Sequence, residues 1–254
     1  MSGPAPATTL APVLRALHLT GMLDTFEIRL AEARAGKLGH AEFLQVLCQD
    51  EISRREAAGV ARRIRAARFP FEATLESFDW AFNPTIPAAT IRDLSRLEFL
   101  DAGEGICLHG PVGVGKSHIA IALGHLAARR GYDVAFTTAS RLLAELAGGH
   151  ADRSFEARLR RLAKVGMLIV DDWAMREFTT AGADDVYELL SERLGRPGHS
   201  LVLTSNRSPA DWYPLFPNAV VGESVLDRLI NTSHHVLMDG KSYRPQRRPR
   251  TTKS

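Results

Sequence analysis

The chain has 254 residues, 45% of them hydrophobic and 24% charged, with a formal net charge of +3. That composition excludes a disordered or disulfide-stapled protein and suits one large domain, or a small one joined to a larger one. Cys48 and Cys107 lie in apolar runs without CxxC spacing and read as buried free thiols of a reducing compartment. No run reaches the roughly 18 apolar residues of a membrane span. The start, Met1-Ser-Gly-Pro-Ala-Pro-Ala, lacks the parts of a signal peptide, so a cytoplasmic location is expected.

Residues 1–9 read as loose. From Leu10 to Ala35 the apolar positions Leu14, Leu17, Met22, Phe26 and Leu30 recur at helical spacing, with Gly21 a candidate break between two helices. A second helical stretch runs from His40 to about Phe69, and its half from Ser53 to Arg68 carries six Arg against one Glu. That run is either a solvated face or a surface for DNA or a neighbouring subunit. Phe71, Phe78, Trp80 and Phe82 among Pro70, Pro84 and Pro87 read as an irregular apolar linker. The expected division is a helical domain over 1–70, a linker and lead-in helix over 71–100, a larger α/β domain over 101–240 and a tail over 241–254.

After the lead-in helix, expected from Ala88 to Phe99, strands and helices alternate. Strands are expected at Gly105–His109, Tyr132–Thr137, Met167–Val170, Ser200–Thr204 and His234–Leu237. Helices are expected at Lys116–Arg130, from Ser140, and at Ser154–Val165, Ala183–Leu194 and Val225–Ile230. Such alternation implies a parallel sheet covered by helices on both faces, a three-layer α/β fold. The last fourteen residues hold Lys241, Arg244, Arg247, Arg248, Arg250 and Lys253 and no acid, while everything before them is acidic overall. This tail reads as disordered, either merely solubilising or a ligand for nucleic acid.

Gly110-Pro-Val-Gly-Val-Gly115-Lys116-Ser117 completes the G-x-x-x-x-G-K-[ST] pattern between a strand and a helix. A triphosphate concentrates negative charge, and glycines let backbone N–H groups surround it at a helix N-terminus. The ATP-binding set is therefore Gly110, Pro111, Val112, Gly113, Val114, Gly115, Lys116, Ser117 and the adjoining His118. Lys116 reaches the β/γ oxygens and the Ser117 hydroxyl takes a Mg²⁺ position. Met167-Leu-Ile-Val-Asp171-Asp172 is an apolar strand delivering two acids at its C-terminal end. Asp171 reads as the Mg²⁺ acid and Asp172 as the group that polarises the attacking water, against a simple N-cap role. Leu201-Val-Leu-Thr-Ser-Asn206 would place Thr204 or, preferably, Asn206 at the γ-phosphate if its strand lies between the other two; the alternative is an Asx or Ser turn. Arg228 in Ser224-Val-Leu-Asp-Arg228-Leu-Ile either pairs with Asp227 or Glu223 or serves as an arginine finger in a neighbouring subunit. His109, His118, His125, His234 and His235 lack carboxylate partners at ligand spacing and read as packing or surface groups.

Together these stretches resemble the AAA+ P-loop ATPases of the initiator and helicase-loader type. From about Leu10 to Tyr243 the chain more closely resembles the IstB family, the ATP-binding helper of an insertion-sequence transposase. Phe78-Asp-Trp80, Asn83-Pro84, Val134-Ala-Phe-Thr and Gly240-Lys-Ser-Tyr-Arg244 also carry the likeness. The resemblance implies an ATPase with two departures from the family pattern: Asp172 stands where most AAA+ enzymes have Glu, so hydrolysis is expected to be slow without DNA or a partner, and Trp173 stands where a smaller or aliphatic residue is expected. It implies Asp171 as the Mg²⁺ acid, Asp172 as water activator, Asn206 as the first sensor, Arg228 as finger and Arg244 as a second-sensor candidate. It further implies an ATP-formed homo-oligomer on duplex DNA that regulates a partner transposase, with no membrane partner. A replicative helicase loader shares the same core, although no Cys/His cluster for a zinc module stands in the N-terminal part. A nucleotide-binding scaffold and a small-molecule kinase are the more distant readings, and nothing after Asn206 resembles a kinase lid.

Overall fold

A computed structural model describes residues 10–247, so the expected loose N-terminus and the tail cations Arg248, Arg250 and Lys253 lie outside the described residues. The chain divides into two compact units between Arg62 and Arg63.

The first unit is helical: α1 (Leu10–Ala16), α2 (Thr20–Gly36) and most of α3 (His40–Ala67). The break falls at Leu17–Leu19, where His18 takes a φ of 56°, and not at Gly21. Gly21 sits in the first turn of α2 for another reason. A Cβ there would meet Glu51 Oε2 at 2.8 Å and Glu51 Cα at 2.9 Å. Its N–H, one of the unpaired donors of a helix start, donates to Glu51 Oε2 at 2.6 Å. Glu51 is buried and also accepts from Arg54 (3.2 Å) and Arg55 (2.6 Å), so two of the six arginines in the basic stretch are committed to this acid. Arg29 clamps Asp50 with two parallel bonds of 2.8 and 2.9 Å. Cys48 is only half-buried, unlike Cys107, whose thiol burial pushes up to about 12.

The second unit is the expected α/β layer structure. The lead-in is two short helices rather than one, α4 (Ala88–Leu94) and α5 (Glu98–Ala102), because Leu97 turns left-handed at φ 62° between them. Then follow β1 (Gly105–His109), α6 (Lys116–Arg130), β2 (Val134–Thr138), α7 (Ala139–Asp152), α8 (Phe155–Lys164), β3 (Met167–Asp171), α9 (Thr180–Arg193), β4 (Ser200–Ser205), α10 (Ala219–Asn231) and β5 (Ser233–Leu237). Side-chain oxygens of Thr138, Thr179 and Asn218 cap α7, α9 and α10, and Gly131 ends α6 in the left-handed region.

All pairings are parallel, in the order β2-β3-β4-β1-β5. Period-2 alternation splits the strands between two cores. Ile106, Leu108, Met167, Ile169 and Val202 pack on α4, α5 and α6. Cys107, Leu168, Val170, Leu201 and Leu203 pack on α7 to α10. Arg193 lies fully buried and donates to the carbonyls of Leu162, Ala163, Gly166 and Ser200, tying the end of α8 to the starts of β3 and β4. The strand order puts β4 between β1 and β3, so three C-terminal strand ends open side by side.

Candidate nucleotide site

The loop from Gly110 to Gly115 joins β1 to α6 through three left-handed glycines, with φ of 139° at Gly110, 84° at Gly113 and 106° at Gly115. These are conformations that side chains with a Cβ seldom adopt. All three also permit close approach by other chain segments: a Cβ on Gly110 would lie 2.1 Å from the Met238 carbonyl oxygen. A Cβ on Gly113 would lie 2.1 Å from Ser242 Oγ, and one on Gly115 would lie 2.5 Å from the Phe78 ring. The positive end of α6 begins at Lys116, directly behind the loop.

Lys116 is buried, and its Nζ donates to the carbonyls of Gly110 (2.7 Å) and Pro111 (2.6 Å). Burial pulls this ammonium below its ordinary value; Asp171 and Asp172 oppose that pull and Arg244 adds to it. Ser117 Oγ donates to Asp171 Oδ1 at 2.7 Å. Thr204 Oγ1 donates to the same oxygen and accepts from the Asp172 N–H at 3.2 Å. The ends of β3 and β4 and the start of α6 therefore meet at one carboxylate. Hydroxyl and carboxylate oxygens in this arrangement are the donor set that Mg²⁺ selects, usually completed by water and phosphate oxygens. Asp172, with a φ of 56°, faces the cavity. Burial and then the adjacent Asp171 raise its carboxyl above the ordinary value, with Lys116 and Arg244 opposing.

The cavity holds about 590 Å³ and is lined by the loop residues Val112 to His118, by Asp172, Thr204, Asn206 and Arg244, and by Phe71, Phe78, Phe82 and Tyr243. That is room for a nucleotide, with an acidic and cationic end and an aromatic end. Asn206 is exposed at the mouth, where β4 ends. His118 turns toward the linker: its Nε2–H donates to the Thr74 carbonyl at 2.8 Å, and its ring meets Phe78 edge-on at 5.4 Å.

The aromatic end was not assigned from the sequence, where Phe71 to Phe82 read as linker packing. It is made by two distant segments. Asn83 accepts from the Lys241 N–H and donates to the Lys241 carbonyl, both at 2.8 Å, and Thr85 donates to the Asp239 carbonyl at 3.0 Å. Phe82 meets Tyr243 edge-on at 4.9 Å, and the Tyr243 N–H donates to the Gly113 carbonyl at 2.9 Å. The first part of the basic tail is thus a strap across the loop, ending in a short 3₁₀ turn at Arg244–Arg247, and not a loose end. The Asn83-Pro84 and Gly240-Lys-Ser-Tyr-Arg244 stretches are the sequence features that meet in it.

Arg228 does not line the cavity of its own chain. Nor does it pair with Asp227 or Glu223: its Nη1 donates to Ser191 Oγ at 2.7 Å, and its guanidinium lies 5.0 Å from the Tyr187 ring centre. Trp173 is buried 5.2 Å from Phe178 and 6.2 Å from Trp212, ring to ring, which accounts for a large residue after the acids.

A family model described as IstB-like ATP binding protein matches residues 12–251. The chain is 59% identical over 245 residues to a Mycobacterium tuberculosis protein provisionally described as an ATP-binding protein in an insertion sequence, covering 96% of this chain and 97% of that one. It is 36% identical to a Pseudomonas aeruginosa protein given the same provisional description for insertion sequence IS21, covering 92% and 88%. Among solved structures it is similar to the DnaC helicase loader, with a TM-score of 0.53 and 19% identity over 70% of this chain and 99% of that one. It is also similar to replication initiator DnaA bound to AMPPCP and single-stranded DNA, with a TM-score of 0.58 and 18% identity over 68% of this chain. The match spans about half of that initiator, 52%. At such identities these likenesses show the fold, that of the P-loop AAA+ proteins.

Proposed function

The chain belongs to the IstB-like ATP-binding family of insertion sequences, and from that premise we propose that it is a Mg²⁺-dependent ATPase that assembles on duplex DNA and stimulates a partner transposase. The observation that carries the enzymatic part is the convergence of Ser117 and Thr204 on Asp171 beside Asp172 and Lys116 in one cavity.

In this reading the backbone of Gly110–Gly115 and the positive end of α6 hold the β-phosphate. Lys116 leaves its two carbonyl partners for the phosphates, an exchange of neutral for charged acceptors that favours the bound form. Ser117 and Asp171 would hold Mg²⁺ through their oxygens, and the ion would supply charge neutralisation at the phosphates. Asp172 accepts the proton of the attacking water, and Asn206 orients that water from the end of β4. Arg244 contributes a cation from the strap. Arg228, held on the outer side of α9 and α10, is offered to the site of a neighbouring subunit. Basic side chains that bind phosphates give duplex binding with little sequence preference.

The test is a pair of variants. Lys116→Ala should lose ATP binding in a fluorescent-nucleotide titration. Asp172→Asn should bind ATP within about threefold of wild type and lose at least about 100-fold in turnover, the usual scale for a general base. Retained turnover in Asp172→Asn would remove that residue from the mechanism.

A further inference from the structure

Asp172 and Ala174 both take left-handed φ values, 56° and 58°, although neither is glycine. Such a turn persists only where the surroundings over-determine it. The surroundings here are unusually complete. Between the two, the Trp173 N–H donates to the Thr204 carbonyl at 2.8 Å. The Trp173 carbonyl accepts from Ser205 Oγ at 2.9 Å. Ser205 Oγ in turn accepts from Trp212 Nε1 at 3.3 Å and from the Arg207 N–H at 3.1 Å. A hydroxyl has one donor and two acceptor sites, so all three are used. Ser205, Trp173 and Trp212 are each at most 2% exposed. The Trp173 indole N–H has no hydrogen-bond partner among the described residues, so its ring packing rather than its polar edge holds it there.

We propose that Ser205 and Trp212 are positioning residues for Asp172: the saturated hydroxyl of Ser205, seated by Trp212, clamps the Asp172–Ala174 turn to the end of β4 and so fixes where the Asp172 carboxylate meets the water. The inference rests on the hydrolase reading above for its catalytic consequence, and on the hydrogen bonds alone for the clamp. It also gives the short Asp side chain a function-compatible setting: with one methylene fewer than Glu, it depends more on where its backbone is held.

The experiment uses the full chain and three variants. Ser205→Ala removes the hydroxyl, Trp212→Phe keeps a buried ring but loses the N–H, and Ser205→Thr keeps the hydroxyl. Amide hydrogen exchange of the peptide spanning residues 168–176 is read without nucleotide, alongside kcat, KM for ATP and Tm. Ser205→Ala and Trp212→Phe should speed exchange in that peptide at least tenfold and leave the α6 peptide unchanged. They should lower kcat at least tenfold with KM within about threefold, and Ser205→Thr should restore both. If Ser205→Ala does not fold, Trp212→Phe carries the comparison. Unchanged exchange, or loosened exchange with kcat within twofold, overturns the proposal, as does a fall in kcat matched by the same rise in KM. A wild type that never hydrolyses ATP, with the turn loosened in Ser205→Ala, refutes the hydrolase reading and leaves the clamp standing.

Discussion

Asp171 is the residue on which the site turns, because two hydroxyls from separate elements reach one of its oxygens. The acid beside it answers to opposite forces: burial and Asp171 push the Asp172 carboxyl up, which is the direction a base for water needs. A contrasting acid stands in the helical unit. Burial would raise Glu51, but hydrogen bonds from Arg54, Arg55 and the Gly21 N–H outweigh it and bring the carboxyl down to about 2. Its folded value thus lies below its unfolded one. The stability it adds is present above about pH 4.5 and is lost as pH falls toward 2. In acid titrations followed by circular dichroism, Glu51→Gln should be less stable than wild type near pH 7, and the gap should close between pH 4.5 and 2. A gap that stays constant with pH would show that Glu51 acts by packing alone.

At the scale of elements, the site is three strand ends and a loop closed by two distant segments. The clip between Asn83 and Lys241 spans 158 residues of sequence and holds the strap that carries Tyr243 and Arg244 over Gly113. Asn83→Ala removes both bonds, each worth about 1 kcal/mol net, and frees the strap. It should weaken ATP binding about tenfold in a nucleotide titration while lowering Tm by only a few degrees. Unchanged affinity would mean the strap plays no part in holding nucleotide.

What could be read in advance follows from range. The loop, the Asp pair and the strands are local patterns, and spacing alone places Lys116, Ser117 and Asp171. The order that sets β4 between β1 and β3 was a condition in the sequence and is a fact in the structure. The strap, the aromatic end of the cavity and the Ser191 partner of Arg228 depend on contacts between segments far apart in the chain; the Asn83-Pro84 and Gly240–Arg244 stretches mark the strap's ends, but spacing within a segment does not say that they meet. The lead-in splits into two helices at Leu97, and nothing in Ser95-Arg-Leu97 signals the left-handed residue there; Leu is a poor candidate for one.

At the scale of the whole molecule, the proposed finger role of Arg228 requires a second copy of the chain. Arg228 is anchored by Ser191 and Tyr187 on the outer side of its own chain and absent from its own cavity. Arg228→Ala should bind ATP normally and lose at least about 100-fold of DNA-stimulated turnover, on the scale known for arginine fingers. Mixing it with Asp172→Asn should restore part of that turnover, since some interfaces then pair an intact Asp172 with an intact Arg228. No recovery across mixing ratios would place the arginine's effect within its own subunit.

ATP turnover by the purified protein, with and without duplex DNA and with particle size followed by light scattering in the same samples, decides whether this is a DNA-responsive, self-assembling ATPase. Duplex DNA should raise turnover, and ATP should drive assembly into a larger particle. A monomer that binds ATP but neither assembles nor responds to duplex DNA would contradict this reading, and would point instead to a loader awaiting its helicase or to a nucleotide-binding scaffold.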